Sequence, residues 1–141
     1  MFIKEDTYRD IIRSVPIICV DGILKQDNKF LLIKRNDEPL KGSWWVPGGR
    51  VNIGEKVDDA FKRKLKEELS IKIKNNFMLM GIYEDFFKVS SFGSHLYHTV
   101  SFVYEYNIDN LSIDLDSTSS EWKFHDDLPL RLKNKMRFID V

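Results

Sequence analysis

Residues 46–71 read VPGGRVNIGEKVDDAFKRKLKEELSI, and this stretch constrains the fold more than any other part of the chain. Apolar residues recur at helical spacing from about Lys56 to Leu69, which predicts an amphipathic helix. Placing residues about 100° apart around its axis gives one apolar stripe of Ala60, Val57, Phe61, Leu65 and Leu69. Glu68 falls inside that stripe, so we expect its carboxylate to point toward the core.

A carboxylate on the core side of a helix is costly unless a cation or several hydrogen bonds compensate it. Glu55, Glu67 and Glu68 converge on one rim of the predicted helix, and Mg²⁺ prefers carboxylate oxygens as ligands. A Mg²⁺ site is therefore one interpretation. The other is a helix-end acid that reaches water or pairs with Arg63 or a lysine. The two glycines before the helix allow the backbone to pass close to a metal or a phosphate.

Length and charge limit the classes of function. The chain has 141 residues, which fits one domain spanning residues 1–141. Its 22 acidic and 22 basic residues balance, so no overall field favours nucleic acid or an anionic membrane, and we expect a small-molecule partner. No apolar run approaches the roughly 18 residues of a membrane span, and the single cysteine, Cys19, excludes a disulfide within the chain. We expect a soluble, cytoplasmic protein.

Strand and helix patterns surround the central helix. Residues 5–13 have apolar side chains at helical spacing, whereas 16–24 and 29–35 predict a hairpin around the turn KQDN. Further strands are predicted in 71–87, 98–108 and 121–125, with a loop at 88–97 and a last helix in 126–139. Helices before and after a set of mixed strands predict an α/β fold with a mixed β-sheet between helices.

The spacing within the central stretch is also specific. Gly49 is followed after five residues by Glu55 and after seven more by Arg63, and then come Leu65, Glu67, Glu68 and Ile71. This pattern resembles the Nudix box of the Nudix hydrolases, which implies a Nudix-type α/β/α sandwich. Two positions depart from the family pattern: Lys64 stands where the family has a glutamate, and Ser70 stands where it has a glycine.

The first half of the chain, including the N-terminal helix and KFLLIKRNDEPLKGSWWVPGGRV, resembles one branch of that family, the GDP-mannose mannosyl hydrolases. The resemblance implies Mg²⁺-dependent hydrolysis, with Mn²⁺ as a substitute, of a nucleotide sugar at its anomeric carbon, giving GDP and mannose. It also implies a homodimer. Two other functions stay open, a conventional Nudix diphosphohydrolase that cleaves P–O–P, and a nucleotide-sugar-binding module that has lost catalysis.

The resemblance also implies roles for single residues. Gly49, through its carbonyl, and Glu68 would ligate the metal, with Glu67 as an additional ligand or base. Arg35 and Arg50 would face the diphosphate or sugar, Asp21 would bind sugar hydroxyls, and Arg63 would orient the glutamates of the box. Trp45 lies directly before the glycine loop, with Trp44 pointing to the opposite face, and is a candidate for contact with the ligand.

The general base is the open question. The branch carries a catalytic histidine in a loop before the last core strand, at a position that corresponds to about Ser119, and a metal ligand near Thr118; this chain has no histidine there. A base needs a pKa near the working pH, so the remaining candidates are His98, His95, His125 and Glu121. We select His98 for a catalytic role; the alternative is a strand-end histidine that satisfies a backbone carbonyl.

Overall fold

The computed structural model describes residues 2–74, 76–108 and 119–139. These residues form three helices, α1 (Glu5–Ser14), α2 (Val57–Leu69) and α3 (Leu130–Lys135). The strands are β1 (Ile17–Gln26), β2 (Lys29–Arg35), β3 (Trp44–Trp45), β4 (Gly48–Arg50), β5 (Phe77–Ser90), β6 (Gly93–Asn107), β7 (Ser119–His125) and β8 (Met136–Phe138). Within this part of the chain, no helix has the length and apolar character needed to cross a membrane.

The strands form one mixed sheet in the order β3-β2-β1-β6-β5-β8, with β4 paired to β1 and β7 paired to β2. The β1–β6 pair is parallel and the other pairs are antiparallel. Successive strand residues point to opposite faces, and this alternation separates two apolar clusters. Phe61 and Leu65 of α2 pack on one face and Leu132 of α3 packs on the other. The predicted α/β/α sandwich with a mixed sheet is confirmed.

The predicted hairpin at the start of the sheet is also confirmed. Lys25 pairs with Phe30 and Gln26 pairs with Lys29, leaving a two-residue loop. Both loop residues, Asp27 and Asn28, have positive φ angles, 50° and 63°. This is the backbone of a type I′ turn, in which Asp and Asn are tolerated and whose twist matches the flanking strands.

Three boundaries differ from the prediction. The expected loop at 88–97 is instead a continuation of the β5–β6 hairpin, in which Ser90 pairs with Gly93 and only two residues form the turn. Gly93 permits this turn because its φ angle is +106°. Strand β5 begins only at Phe77. The final helix begins only at Leu130, after Pro129, and ends at Lys135, because the following residues form β8 on the edge of β5.

Helix α2 forms as its periodicity predicts, beginning one residue later than expected, at Val57. It ends at Leu69 as expected, and the next residue, Ser70, caps it with φ and ψ angles of 58° and 27°, in the left-handed region. The Ser70 N–H donates to the Lys66 carbonyl and the Ile71 N–H to the Leu65 carbonyl, which is a common way to close a helix. Glycine is preferred at such a position because a Cβ is strained there.

We therefore expect Ser70→Gly to raise the free energy of unfolding by about 0.5–1 kcal/mol, since it removes the Cβ strain but adds freedom to the unfolded chain. Urea denaturation followed by circular dichroism measures this change. Ser70→Ala is the matched control, because it keeps the Cβ, and it should give no gain. A glycine variant less stable than the alanine variant would contradict this account of the helix end.

Candidate functional site

One pocket, with a volume of about 420 Å³, lies where α1, β1, β4 and α2 meet. Six of the predicted site residues line it: Asp21, Arg35, Trp45, Gly49, Arg50 and Glu68. Arg63, Glu67 and His98 are not among its lining residues. The structure thus brings most of the predicted substrate contacts and one predicted metal-ligating side chain into a single cavity.

Glu68 is buried, with 6% of its surface exposed, which confirms that it points to the core side of α2. Its Oε2 accepts a hydrogen bond of 3.2 Å from the Gly48 N–H, and its Oε1 lies 3.6 Å from the Lys64 Nζ. One backbone donor and one ammonium therefore compensate this carboxylate. Both partners also line the pocket, so the negative charge is held at the pocket wall.

Arg63 connects helix α2 to the loop that precedes it, residues 50–56. Its Nε donates to Glu55 Oε2 at 2.7 Å, its Nη2 to the Arg50 carbonyl at 2.9 Å, and its Nη1 to Glu67 Oε2 at 3.1 Å. The hydrogen bonds from Arg63 lower the pKa of Glu55, so this carboxylate stays ionised and paired. Arg63 positions the loop and Glu67, and its own side chain is not among those that line the pocket.

This pairing bears on the predicted convergence of three acids. Within residues 2–74, 76–108 and 119–139, no three acidic, histidine or cysteine side chains lie close enough together to hold a metal ion. The expected convergence of Glu55 with Glu67 and Glu68 is therefore wrong, because Arg63 binds Glu55. Glu68, Glu67 and the Gly49 carbonyl are hard oxygen donors. Donors of this kind are those that Mg²⁺ prefers, and Mg²⁺ commonly completes its coordination with water and phosphate oxygens.

The two glycines of the loop allow close backbone contact, chiefly with the protein itself. A Cβ on Gly48 would lie 2.2 Å from the Val20 carbonyl oxygen and 2.3 Å from Asp21 Oδ1. A Cβ on Gly49 would lie 2.3 Å from the Lys64 Cε. Glycine at position 48 lets β4 lie close to β1, and glycine at position 49 leaves room for the Lys64 side chain. The neighbours that require glycine here are β1 and Lys64, and the expected approach to a metal or a phosphate stays a prediction.

The two predicted arginines reach the pocket from different strands. Arg35, at the end of β2, donates from Nε to the Pro39 carbonyl at 2.7 Å. The Arg50 guanidinium lies over the ring of Tyr8, with 4.8 Å between the guanidinium carbon and the ring centroid. Tyr8 belongs to α1, so the N-terminal helix forms part of the pocket wall. Both arginines are thereby oriented by contacts outside the Nudix-like stretch.

The floor of the pocket is polar. Asp21 and Cys19 on β1 lie there with Thr99 and Ser101 of β6. Burial raises the pKa of Asp21 from 3.8 to about 6, opposed by the side-chain hydrogen bond with Ser101 and the charge of Arg35. Burial also raises the pKa of the Cys19 thiol to about 12, so it stays protonated, as expected for a structural thiol. Asp21 is thus a buried carboxylate that titrates near neutral pH.

His98 lies on the other face of β6 from this floor. Its ring stacks on Phe86 at 4.3 Å between centroids, and its Nε2 lies 3.6 Å from Glu84 Oε2. The adjacent residues Tyr97 and Thr99 line the pocket, and the alternation of a strand turns His98 away from it.

The other candidates for the base also have protein partners. His95 hydrogen-bonds to the Ser90 hydroxyl at 2.6 Å, His125 packs on Trp44, and Glu121 pairs with Lys34. None of these side chains lines the pocket. Thr118 and the side chain of Ser119 lie outside the described residues.

Several lining residues were not predicted from the sequence. The spacing of apolar residues in 5–13 predicts that Tyr8 lies on the apolar side of a helix. Nothing in the sequence indicates which element that side contacts. Thr99 and Ser101 alternate with Val100 and Phe102 on β6, and this alternation is a signal for one polar strand face. Lys64 was predicted only as a departure from the family pattern, and it proves to be a pocket residue.

Comparisons with known proteins agree with the geometry. A family model described as the NUDIX domain matches residues 15–137. A protein of Haloferax volcanii named low-salt glycan biosynthesis protein Agl8 is 31% identical over 122 residues, which are 86% of this chain and 78% of that protein. A protein of Methanocaldococcus jannaschii named ADP-ribose pyrophosphatase is 47% identical over 70 residues, 48% of this chain, and the match spans only 40% of that protein.

A solved structure shows the same fold. The crystal structure of a MutT/nudix family protein from Enterococcus faecalis superposes with a TM-score of 0.65 at 20% identity, covering 88% of this chain and 56% of that one.

The titration of Asp21 gives a prediction for stability. Its pKa is higher in the folded state, so the ionised form is disfavoured by folding, and stability is lost as pH rises from about 4 through about 6. Asn does not ionise, so we compare the free energy of unfolding of Asp21→Asn with that of the unsubstituted protein. We expect this difference to grow by about 3 kcal/mol in favour of the variant as the pH is raised from 4 to 8. Urea denaturation at a series of pH values measures this difference. Asp37→Asn, at an exposed acid on the same pocket, is the control; equal pH dependence in both variants would contradict the prediction.

Proposed function

The chain belongs to the NUDIX domain family, and from that premise we propose that it hydrolyses a nucleoside diphosphate sugar with the help of a divalent cation. The observation that carries the proposal is the pocket itself. It gathers cationic side chains and the buried acid Glu68 around a polar floor that contains Asp21. A nucleotide sugar, with a charged diphosphate at its centre and a hydroxylated sugar at one end, has groups that these side chains can bind.

The diphosphate has three cationic side chains to contact. Arg35, Arg50 and Lys64 all line the pocket. Guanidinium groups bind phosphate oxygens in a bidentate manner, and an ammonium acts as a point charge. A Mg²⁺ or Mn²⁺ ion held by Glu68 and the Gly49 carbonyl would neutralise the charge of the leaving diphosphate, while Glu67 stays paired with Arg63 and Lys64. The side chains on this wall bind and orient the diphosphate.

The sugar has a different set of contacts. The Asp21 carboxylate accepts hydrogen bonds and so suits sugar hydroxyls, and Thr99 and Ser101 add hydroxyl donors and acceptors. Trp45 is buried beside Tyr83, with 5.7 Å between the ring centroids, and offers an apolar wall for the sugar ring. Asp21 also has a raised pKa, of about 6, which is suitable for a group that accepts a proton from the attacking water.

Two bonds are candidates for cleavage. We favour attack at the anomeric carbon, releasing GDP and mannose from GDP-mannose, because Lys64 replaces the glutamate of the conventional family pattern. The Haloferax volcanii relative, named for glycan biosynthesis, also supports a sugar-containing substrate. The second candidate is cleavage of the P–O–P bond, which the name of the Methanocaldococcus jannaschii relative favours.

Product analysis distinguishes these reactions. The protein is incubated with Mg²⁺ and either GDP-mannose or ADP-ribose in ¹⁸O-labelled water, and products are identified by mass spectrometry. We expect GDP and mannose, with the label on the sugar. GMP and mannose 1-phosphate with labelled phosphate, or AMP from ADP-ribose, would instead establish P–O–P cleavage. Binding of both compounds without turnover would support a module that has lost catalysis.

The role of Glu68 is tested separately. Glu68→Gln keeps the size of the side chain and its hydrogen bond with the Gly48 N–H, but it removes the charge that would hold the cation. We expect kcat/KM to fall by about 10²–10³-fold, in the range found when an electrostatic catalytic group is lost. Glu105→Gln, at a partly buried acid paired with Lys25, is the matched control and should leave turnover unchanged. Equal turnover in the Glu68 variant would contradict the proposed cation site.

A further inference from the structure

Lys64 is held between two acids of its own helix. Its Nζ lies 3.4 Å from Glu67 Oε2 and 3.6 Å from Glu68 Oε1. The side chain is 16% exposed, and its stem fills the space where a side chain on Gly49 would be. Lysines that pair with acids along a helix are usually solvated, whereas this one is packed and lines the pocket.

The surrounding charges are nearly balanced without any bound ion. The carboxylates of Glu55, Glu67 and Glu68 face two cations, Arg63 and Lys64. Within this set of five side chains a single net negative charge remains, and the Arg50 guanidinium on the same pocket adds further positive charge. One divalent ion is compatible with that charge when it arrives with an anionic diphosphate, but a second divalent ion is not compensated.

The Lys64 ammonium lies where an ion that bridges the carboxylates of Glu67 and Glu68 would bind. Mg²⁺ binds oxygen at about 2.0–2.1 Å, so an ion shared by Glu67 and Glu68 would have to draw the two carboxylates together at the place that the Lys64 Nζ occupies. The ammonium and such an ion exclude each other through both volume and like charge.

We propose that Lys64 is a tethered cation that takes the place of a second divalent ion between Glu67 and Glu68, limiting the site to one divalent ion. The ammonium stabilises both carboxylates and, from the pocket wall, contacts a phosphate oxygen of the substrate. The inference rests on the proposed function, because it assumes that Glu68 holds one divalent ion. It adds that this site binds fewer ions than its acids alone would.

Metal binding tests the inference without relying on activity. Free Mn²⁺ is followed by electron paramagnetic resonance as it is titrated into the folded full chain, with and without GDP. The unsubstituted protein should bind one Mn²⁺ per chain in the presence of GDP. Lys64→Glu should bind one more, and Lys64→Gln should bind Mn²⁺ at least tenfold more tightly in the absence of GDP. Lys66→Glu introduces the same charge change at an exposed position of the same helix and should match the unsubstituted protein.

The outcomes separate the two proposals. If both Lys64 variants bind the same number of Mn²⁺ ions with the same Kd as the unsubstituted protein, the inference is overturned; metal-dependent product formation would then leave the proposed function intact. If Lys64→Glu gains an ion while the unsubstituted protein forms no product, the inference holds and the proposed function fails. Thermal unfolding of each variant verifies folding. If Lys64→Glu does not fold, the affinity of Lys64→Gln decides the inference alone.

Discussion

The carboxylate of Glu68 is the constraint on which the site depends. It lies inside the apolar stripe of α2, where an ionised group needs partners within the protein. Its partners include the Gly48 N–H and the Lys64 ammonium. The first requires β4 to run close beside the helix, and that path requires a glycine because a Cβ would meet the backbone of β1. One buried charge thus ties together a helix, a short strand and the parallel centre of the sheet.

The floor of the pocket depends on contacts that are distant in sequence. Cys19 of β1 is paired with Ser101 of β6 in the parallel register, so the polar residues of two strands about 80 positions apart face one cavity. Burial there disfavours the charge of Asp21, while Arg35 and the hydrogen bond with Ser101 partly restore it. Asp21 on the floor has a raised pKa, whereas Glu68 on the wall formed by α2 is paired with the Lys64 ammonium. This difference allows two carboxylates of one pocket to take different chemical roles.

Local periodicity explains how much of this the sequence predicts. The burial of Glu68, the central helix and the first hairpin each follow from residues within about one or two turns, and all three predictions are confirmed. The serines and the glycine of the 88–97 segment predict a loop, but pairing across the hairpin gives this segment a partner strand. The direction of His98 depends on which face of β6 meets α1. That is a property of the whole sheet, and a shift of the strand by one residue would turn the His98 side chain to the opposite face.

The two departures from the family pattern differ in physical meaning. Ser70 changes only a local backbone preference at the end of α2, where the left-handed conformation forms with serine in place. Lys64 changes the charge at the centre of the site by two units relative to a glutamate, and its ammonium lies within 3.6 Å of Glu68. The first departure therefore concerns stability, and only the second concerns chemistry. A site with one divalent ion and a fixed ammonium still neutralises a diphosphate, so Lys64 is consistent with an altered mechanism as well as with a lost one.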